Sequence, residues 1–148
     1  MKNRKKKTLS KPSFPVWGWV ILGVALVAII AVVLLKTAEP TAASLPAEVS
    51  VAEASQLRDQ NAFILDVREP SEWTQFHIPG ANLIPLGQLP NRLSEVPKDR
   101  QVVVVCRTGH RSAQGRDILK QAGFTNVTSM AGGVTAWQAQ GLAIATGQ

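Results

Sequence analysis

Cysteine and histidine are scarce in this 148-residue chain, which holds one cysteine and two histidines. A single cysteine rules out a disulfide within the chain. Three nitrogen or sulfur ligands in all argue against a zinc site, which usually takes four. We therefore expect neither a metal ion nor another cofactor. An unpaired cysteine is a liability in an oxidising compartment unless it has a function, so Cys106 is the first candidate for a functional residue.

Charged side chains are absent from residues 16–35, where the only polar side-chain groups are the indole N–H groups of Trp17 and Trp19. At a rise of about 1.5 Å per residue, such a run spans the roughly 30 Å core of a bilayer. We therefore expect a transmembrane helix at residues 16–36, with the tryptophans at the membrane–water interface. A cleaved signal peptide is the alternative, although its apolar region usually runs only about 7–15 residues.

Basic residues are concentrated before this run. Six of the 16 lysines and arginines fall within residues 1–15, and Lys36 follows the run. The positive-inside rule then predicts that the tail of residues 1–15 is cytoplasmic, close to anionic lipids, and that the rest of the chain lies on the outer (periplasmic, extracellular or lumenal) side. From Thr37 onward there are nine basic and ten acidic residues, a net charge of −1. This balance argues against nucleic acid as a partner.

The remainder of the chain divides into a linker at residues 37–47, which contains two prolines, and a domain at residues 48–148 that is long enough for a hydrophobic core. Within the domain, Ser50 and Glu53 predict a capping box that opens a helix. The pattern predicts an α/β fold, because strands alternate with helices along the chain. The predicted helices are 50–59, 70–76, 112–122 and 134–139, with one or two helical turns in 86–96, and the predicted strands are 63–65, 82–84, 102–105 and 126–129.

The valines of residues 102–105 predict a strand buried on both faces, and this strand leads directly into Cys106. A turn and then a helix follow, so the thiol is expected at the ligand-binding edge of a parallel sheet. The backbone N–H groups of such a turn and the N-terminus of the helix both favour negative charge. Gly109 allows the backbone to bend there. The turn therefore favours a cysteine thiolate, or the equally anionic persulfide.

Four motifs follow one another along the domain: Asp66-Val67-Arg68-Glu69 with Glu72-Trp73, His77-Ile78-Pro79-Gly80-Ala81, the Cys106–Ser112 turn, and Gly132-Gly133-Val134-Thr135-Ala136-Trp137. In this order and spacing they resemble the rhodanese (thiosulfate-type sulfurtransferase) domain. The resemblance covers residues 63–137 and implies a five-stranded, mostly parallel sheet flanked by helices. One position departs from the family pattern: the family usually has glycine before the His-Ile-Pro-Gly stretch, whereas this chain has Phe76.

The resemblance also implies a reaction in which Cys106 takes a sulfane sulfur atom from a donor and passes it to a thiophilic acceptor. The implied donor is thiosulfate or a low-molecular-weight persulfide, and the implied acceptor is a thiol, cyanide or a protein. Arg107 and Arg111 would orient the anionic donor. The substrate-binding set that the resemblance implies is Arg107, Thr108, Gly109, His110 and Arg111, whose backbone amides would hold the persulfide.

Three further residues are expected to support the turn. Asp66 and Arg68 lie at a strand end near the same edge of the sheet, where we expect an ion pair or hydrogen bonds to the loop rather than acid–base catalysis. Ser112, which follows the turn, completes this supporting set. Gly132 and Gly133 most simply form a turn before the last helix, with a close approach to the active loop as the alternative.

Two other functions are compatible with a reactive cysteine. Cysteine phosphatases use a similar turn with five residues between cysteine and arginine, but only four separate Cys106 from Arg111, which leaves less room for a phosphoryl group. The other alternative is a non-catalytic persulfide carrier, sensor or docking module at the membrane. We expect a membrane-anchored sulfurtransferase, because both the cysteine and the arginine of the turn are present.

Overall fold

The computed structural model describes residues 45–147. The predicted cytoplasmic tail, the predicted transmembrane helix and most of the predicted linker lie outside these residues. Among residues 45–147, no helix has both the length and the apolar character needed to cross a membrane. The elements in chain order are β1 (Glu48–Val49), α1 (Val51–Asp59), β2 (Phe63–Asp66), α2 (Pro70–Trp73), β3 (Asn82–Leu83), two 3-10 turns (Leu89–Asn91 and Leu93–Glu95), β4 (Val102–Val105), α3 (His110–Gln121), β5 (Val127–Met130) and α4 (Gly133–Ala139).

The five strands form one sheet in the order β1-β5-β4-β2-β3, and every neighbouring pair is parallel. This confirms the predicted α/β fold with a five-stranded sheet. The residue pattern had indicated only four of the strands. It missed β1, which pairs with β5 over only two residues, because so short an edge strand carries no alternation of apolar and polar residues.

Strand β4 lies at the centre of the sheet, and all four of its valines are fully buried. Alternate side chains of a strand point to opposite faces. The first and third valines pack with Leu119 of α3, and the second and fourth pack with Trp137 of α4. The prediction of a strand buried on both faces is therefore confirmed. Cys106 continues the face that α3 covers.

Helix α3 lies very close to the sheet, because Gly115 has no side chain. A Cβ atom at this position would lie 3.1 Å from Val104 Cγ1 and 3.3 Å from Val67 Cγ1. Contacts this short would push the helix away from β2 and β4. The small residue thus fixes the N-terminal end of α3 beside the end of β4, where Cys106 lies.

Two helix boundaries differ from the prediction by two or more residues. Helix α2 ends at Trp73 rather than Phe76, because the guanidinium of Arg68 donates to the carbonyls of Glu72 and Phe76 and holds the chain in a turn. Helix α3 begins at His110 rather than Ser112, directly after Gly109, whose φ of +105° sets the bend. The loop after Cys106 is therefore shorter than expected.

Candidate active site

Cys106 is the first residue after β4, and its side chain is buried, with 1% of the residue exposed. Its Sγ atom accepts a hydrogen bond from the backbone N–H of Gly109 at 3.1 Å. The Ser112 Oγ atom lies 3.7 Å from the same sulfur and can accept the thiol proton. The sulfur therefore lies inside the curve of the loop, within reach of the loop's own donors.

The loop amides around this sulfur are available to an anion. Among residues 45–147, the N–H groups of Arg107, Thr108, His110 and Arg111 donate to no backbone or side-chain acceptor. The last two belong to the first turn of α3, where helical N–H groups carry partial positive charge. Successive free amides in a tight turn form a site for an anion.

Ser112 ties the start of α3 to the loop through its side chain. It is fully buried, and its Oγ donates to the carbonyl of Gly109 at 2.7 Å. Gly109 is thus fixed at both backbone groups: its N–H donates to the sulfur of Cys106, and its carbonyl accepts from the hydroxyl of Ser112. The structure places Ser112 next to Cys106, where a supporting residue is expected.

Helix α4 holds the opposite side of the loop. The Val134 N–H donates to the carbonyl of Cys106 at 2.8 Å, and the Thr135 N–H donates to the carbonyl of Arg107 at 3.2 Å. Gly133 lies so close that a Cβ atom there would collide with both of these peptide groups. The Gly-Gly pair is therefore more than a turn, and of the two expectations the close approach is the one that the structure shows.

Arg111 forms a two-pronged ion pair with Glu72, in which Nη1–Oε2 and Nη2–Oε1 are both 2.7 Å. The hydrogen bonds from Arg111 lower the pKa of the Glu72 carboxyl from 4.5 to about 2. In turn, the Glu72 carboxylate raises the pKa of the Arg111 guanidinium. The last arginine of the loop is thus fixed by α2, and anion binding by Arg111 stays a prediction. Glu72 lies within one of the sequence motifs, but no pattern in the sequence indicated it as a site residue.

Asp66 and Arg68 form a second ion pair, which is buried. Arg68 Nη2 lies 2.7 Å from Asp66 Oδ2, and both residues are at most 1% exposed. The guanidinium also donates to the Phe76 carbonyl at 2.8 Å. An ion pair was one of the two arrangements expected for these residues. It ties the end of β2 to the segment that carries Glu72.

The remaining predicted residues lie at the surface of the loop. Arg107, Thr108 and His110 are exposed. Arg107 has no ion pair or side-chain hydrogen bond within residues 45–147, whereas a ring nitrogen of His110 lies 3.3 Å from the side-chain amide of Gln114. Nowhere in the same residues do three or more histidine, cysteine, aspartate or glutamate side chains come together in a way that could hold a metal ion.

A cavity of about 150 Å³ lies beside the loop. Two of its lining residues, Arg68 and Glu72, belong to the ion pairs described above. The others are Gln75, Phe76, Arg107, Thr135 and Gln138. Phe76 is the position that departs from the family pattern, and Arg107 is a predicted binding residue. No pattern in the sequence indicated the two glutamines.

A family model described as the rhodanese-like domain matches residues 50–140 of this chain. The chain belongs to the rhodanese family. A sulfurtransferase from Allochromatium vinosum is 42% identical over 85 residues, which are 57% of this chain and 79% of that protein. A thiosulfate sulfurtransferase from Pseudoalteromonas translucida is 33% identical over 92 residues, 62% of this chain and 88% of that protein.

Solved structures agree with this assignment. A rhodanese-related protein from Thermoplasma volcanium superposes with a TM-score of 0.63 at 27% identity, over 68% of this chain and 98% of that one. Together with the family match, these similarities make this rhodanese an enzyme of sulfur transfer, a rhodanese-type sulfurtransferase.

Proposed function

We propose that this rhodanese carries the transferred sulfur atom as a persulfide on Cys106, and that it does so at the outer face of a membrane. The donor is thiosulfate or a low-molecular-weight persulfide. The acceptor is cyanide, a small thiol or a protein thiol. The observation that carries the proposal is the position of the Cys106 sulfur inside a loop whose amides have no other acceptor among residues 45–147.

The loop suits a persulfide because the terminal sulfur of a persulfide is an anion. The N–H of Gly109 already points at the Cys106 Sγ atom, and the N–H groups of Arg107, Thr108, His110 and Arg111 have no acceptor within residues 45–147. Hydrogen bonds to an anion are stronger than those to a neutral acceptor. The loop would therefore stabilise the charged intermediate more than the resting thiol.

The proposed reaction has two displacements. The Cys106 thiolate attacks the outer sulfur of thiosulfate, the S–S bond of the donor breaks, and sulfite leaves with the electron pair. The acceptor then attacks the outer sulfur of the persulfide, and the electron pair of the second S–S bond returns to Cys106 as thiolate. With cyanide the product is thiocyanate, and neither step needs an oxidant or a reductant.

The direct test is intact-protein mass spectrometry of the 148-residue chain after incubation with thiosulfate. We expect the mass of one added sulfur atom, its removal by cyanide with release of thiocyanate, and neither event in Cys106→Ser. If no donor, including glutathione persulfide, adds sulfur to the unsubstituted chain, the proposal is wrong. If sulfur is added but no small acceptor removes it, the chain is instead a carrier with a protein acceptor.

The membrane location is supported by the sequence of residues 1–36, which combines a basic tail with a long uncharged run. We expect the protein to remain with membranes after an alkaline carbonate wash. In cells whose outer side is opened to protease, the domain should be digested while the tail is protected. Recovery of the chain in the soluble fraction would contradict a retained anchor, and protection of the domain would contradict the orientation.

A further inference from the structure

The cavity beside the loop offers an unusual set of unused polar groups. The Arg68 and Glu72 side chains in its lining are already paired, with Asp66 and Arg111 respectively. By contrast, the side chains of Gln75, Thr135 and Gln138 take part in no hydrogen bond within residues 45–147. Together with the unpaired guanidinium of Arg107, they give the cavity one free cation, two free amides and a hydroxyl.

Phe76 supplies the one apolar side chain of the lining. Its ring is partly buried, with the Arg68 guanidinium carbon 5.5 Å from the ring centroid. Its carbonyl accepts from the same guanidinium, so that both backbone and ring are fixed by a buried residue. A fixed aromatic wall opposite polar groups suits a ligand with methylene groups as well as a charge.

The place of the cavity relates it to the reaction. Arg107 directly follows Cys106, and its carbonyl is held by the N–H of Thr135. Glu72, on another part of the lining, holds Arg111 at the far end of the loop. The lining thus includes the first arginine of the loop and the partner of the last one. The cavity therefore adjoins the residue that directly follows Cys106, where a larger substrate has room for the atoms that do not react.

The volume of the cavity favours an organic thiol over a small inorganic ion as its ligand. About 150 Å³ is far above the roughly 10–15 Å³ that one water molecule needs, so the cavity can hold several non-hydrogen atoms. Cyanide has only two atoms and nothing to place there once its reacting carbon is at the loop, and thiosulfate has no methylene group to lie against Phe76. A thiol with an organic chain and a carboxylate can place the carboxylate near Arg107, hydrogen-bonding groups near the glutamines, and methylene groups against Phe76.

We infer that this cavity is the binding site for the organic part of a carboxylate-bearing thiol that removes or delivers sulfur at Cys106. The inference rests on the proposed function. In the accepting direction, the thiolate of the ligand attacks the outer sulfur of the Cys106 persulfide, the S–S bond breaks, and Cys106 recovers the electron pair. The ligand leaves as its own persulfide, and the same steps in reverse describe it as a donor.

The test compares two acceptors with thiosulfate as the common donor, and sulfite release is measured for both. Glutathione is the carboxylate-bearing probe and cyanide is the inorganic one. In Phe76→Ala and Gln138→Ala we expect the KM for glutathione to rise about fivefold relative to the KM for cyanide, the effect of losing roughly 1 kcal/mol of binding. Gln121→Ala is the matched control, because Gln121 is an exposed glutamine at the end of α3 outside the cavity lining.

An equal ratio of the two KM values in all variants, with sulfite release retained, would overturn the inference. Absence of sulfite release with both acceptors, combined with no transfer of sulfur from glutathione persulfide to cyanide, would instead overturn the proposed function and this inference with it. A second measurement uses only the unsubstituted chain, so its result does not depend on whether the variants fold. S-methylglutathione, which cannot react, should compete with glutathione as an inhibitor, and a lack of inhibition above the KM of glutathione would also refute the site.

A second pair of reagents shows whether the cavity binds the thiol as a sulfur acceptor, its persulfide as a sulfur donor, or both. Glutathione persulfide serves as donor, cyanide as acceptor, and thiocyanate is measured. If Phe76→Ala raises the KM of this donor as much as it raises that of glutathione, the cavity serves both directions. A rise for only one of the two assigns the cavity to that direction alone.

Discussion

The Arg111 guanidinium and the Glu72 carboxylate meet in a two-pronged ion pair, with both nitrogen–oxygen distances at 2.7 Å. The pair joins α2 to the first turn of α3, and its two partners are 39 positions apart in the chain. It therefore links the wall of the cavity to the end of the active loop. Its strength also depends on pH, because only the ionised carboxylate can accept from both nitrogens.

Glu72→Gln should remove a pH-dependent part of the stability. The Glu72 pKa falls from 4.5 to about 2 in the folded protein, so the pair stabilises the fold above about pH 4.5 and loses this contribution as the pH falls towards 2. We expect the variant to lose about 1 kcal/mol of unfolding free energy at neutral pH, since the pair is partly exposed. The difference from the unsubstituted chain should shrink as the pH falls below 4.5 and vanish only below about pH 2.

Urea unfolding at a series of pH values measures this difference. Glu95→Gln serves as a control, because the Arg92–Glu95 pair is exposed and joins residues only three apart. A Glu72→Gln deficit that is the same at every pH would show that packing, and not the ionised pair, accounts for the loss.

Gly133→Ala should be severely destabilising and should stop sulfur transfer. Gly133 has a φ of +58°, and a Cβ atom there would collide with the peptide groups of Cys106 and Arg107. Strain and overpacking together should cost about 2–4 kcal/mol.

Gly141→Ala separates the two causes, because Gly141 has a similar φ of +73° but nothing within 4 Å of a Cβ. We expect a loss of only about 1 kcal/mol there. Equal midpoints of unfolding for the two variants would contradict the proposed collision.

The part of the site that lies within one stretch of chain could be predicted from the sequence. Four valines before a cysteine place the thiol at the end of a buried strand, and Asp66 and Arg68 are close enough in the chain to be expected as a pair. Physical patterns of this kind depend on neighbours along the chain. The fold class followed from the same alternation of strands and helices.

The contacts between distant segments could not be predicted in this way. The alignment of Glu72 with Arg111 depends on how α2 lies against α3, and the approach of Gly133 to Cys106 depends on where α4 returns to the sheet. A glycine pair before a helix indicates a turn, but its composition does not show which peptide groups lie behind it. The glutamines of the cavity carried no pattern at all, since exposed polar residues occur throughout any surface.

Ser112→Ala should slow the addition of sulfur to Cys106. The Ser112 hydroxyl donates to the Gly109 carbonyl at 2.7 Å, and the Gly109 N–H donates to the sulfur. Loss of one hydrogen bond of roughly 1 kcal/mol would let the loop move, and we expect a rate about fivefold lower. Rapid quenching followed by intact-mass analysis measures the rate. Ser71→Ala is the control, because Ser71 is exposed on α2. Unchanged kinetics in Ser112→Ala would show that the hydroxyl does not position the nucleophile.

Asp66→Asn should be among the most destabilising single changes in the domain. It leaves the Arg68 guanidinium, which is 1% exposed, without its carboxylate partner. Breaking a buried pair by removing one partner costs about 3–5 kcal/mol, whereas an exposed pair contributes less than about 1 kcal/mol. Because Arg68 also holds the carbonyls of Glu72 and Phe76, the wall of the cavity should loosen with it. The measurement is the urea unfolding free energy of Asp66→Asn beside that of Glu95→Gln. Similar losses in the two variants would mean that the buried arginine finds other partners once Asp66 is gone, and that the pair does not organise this side of the loop.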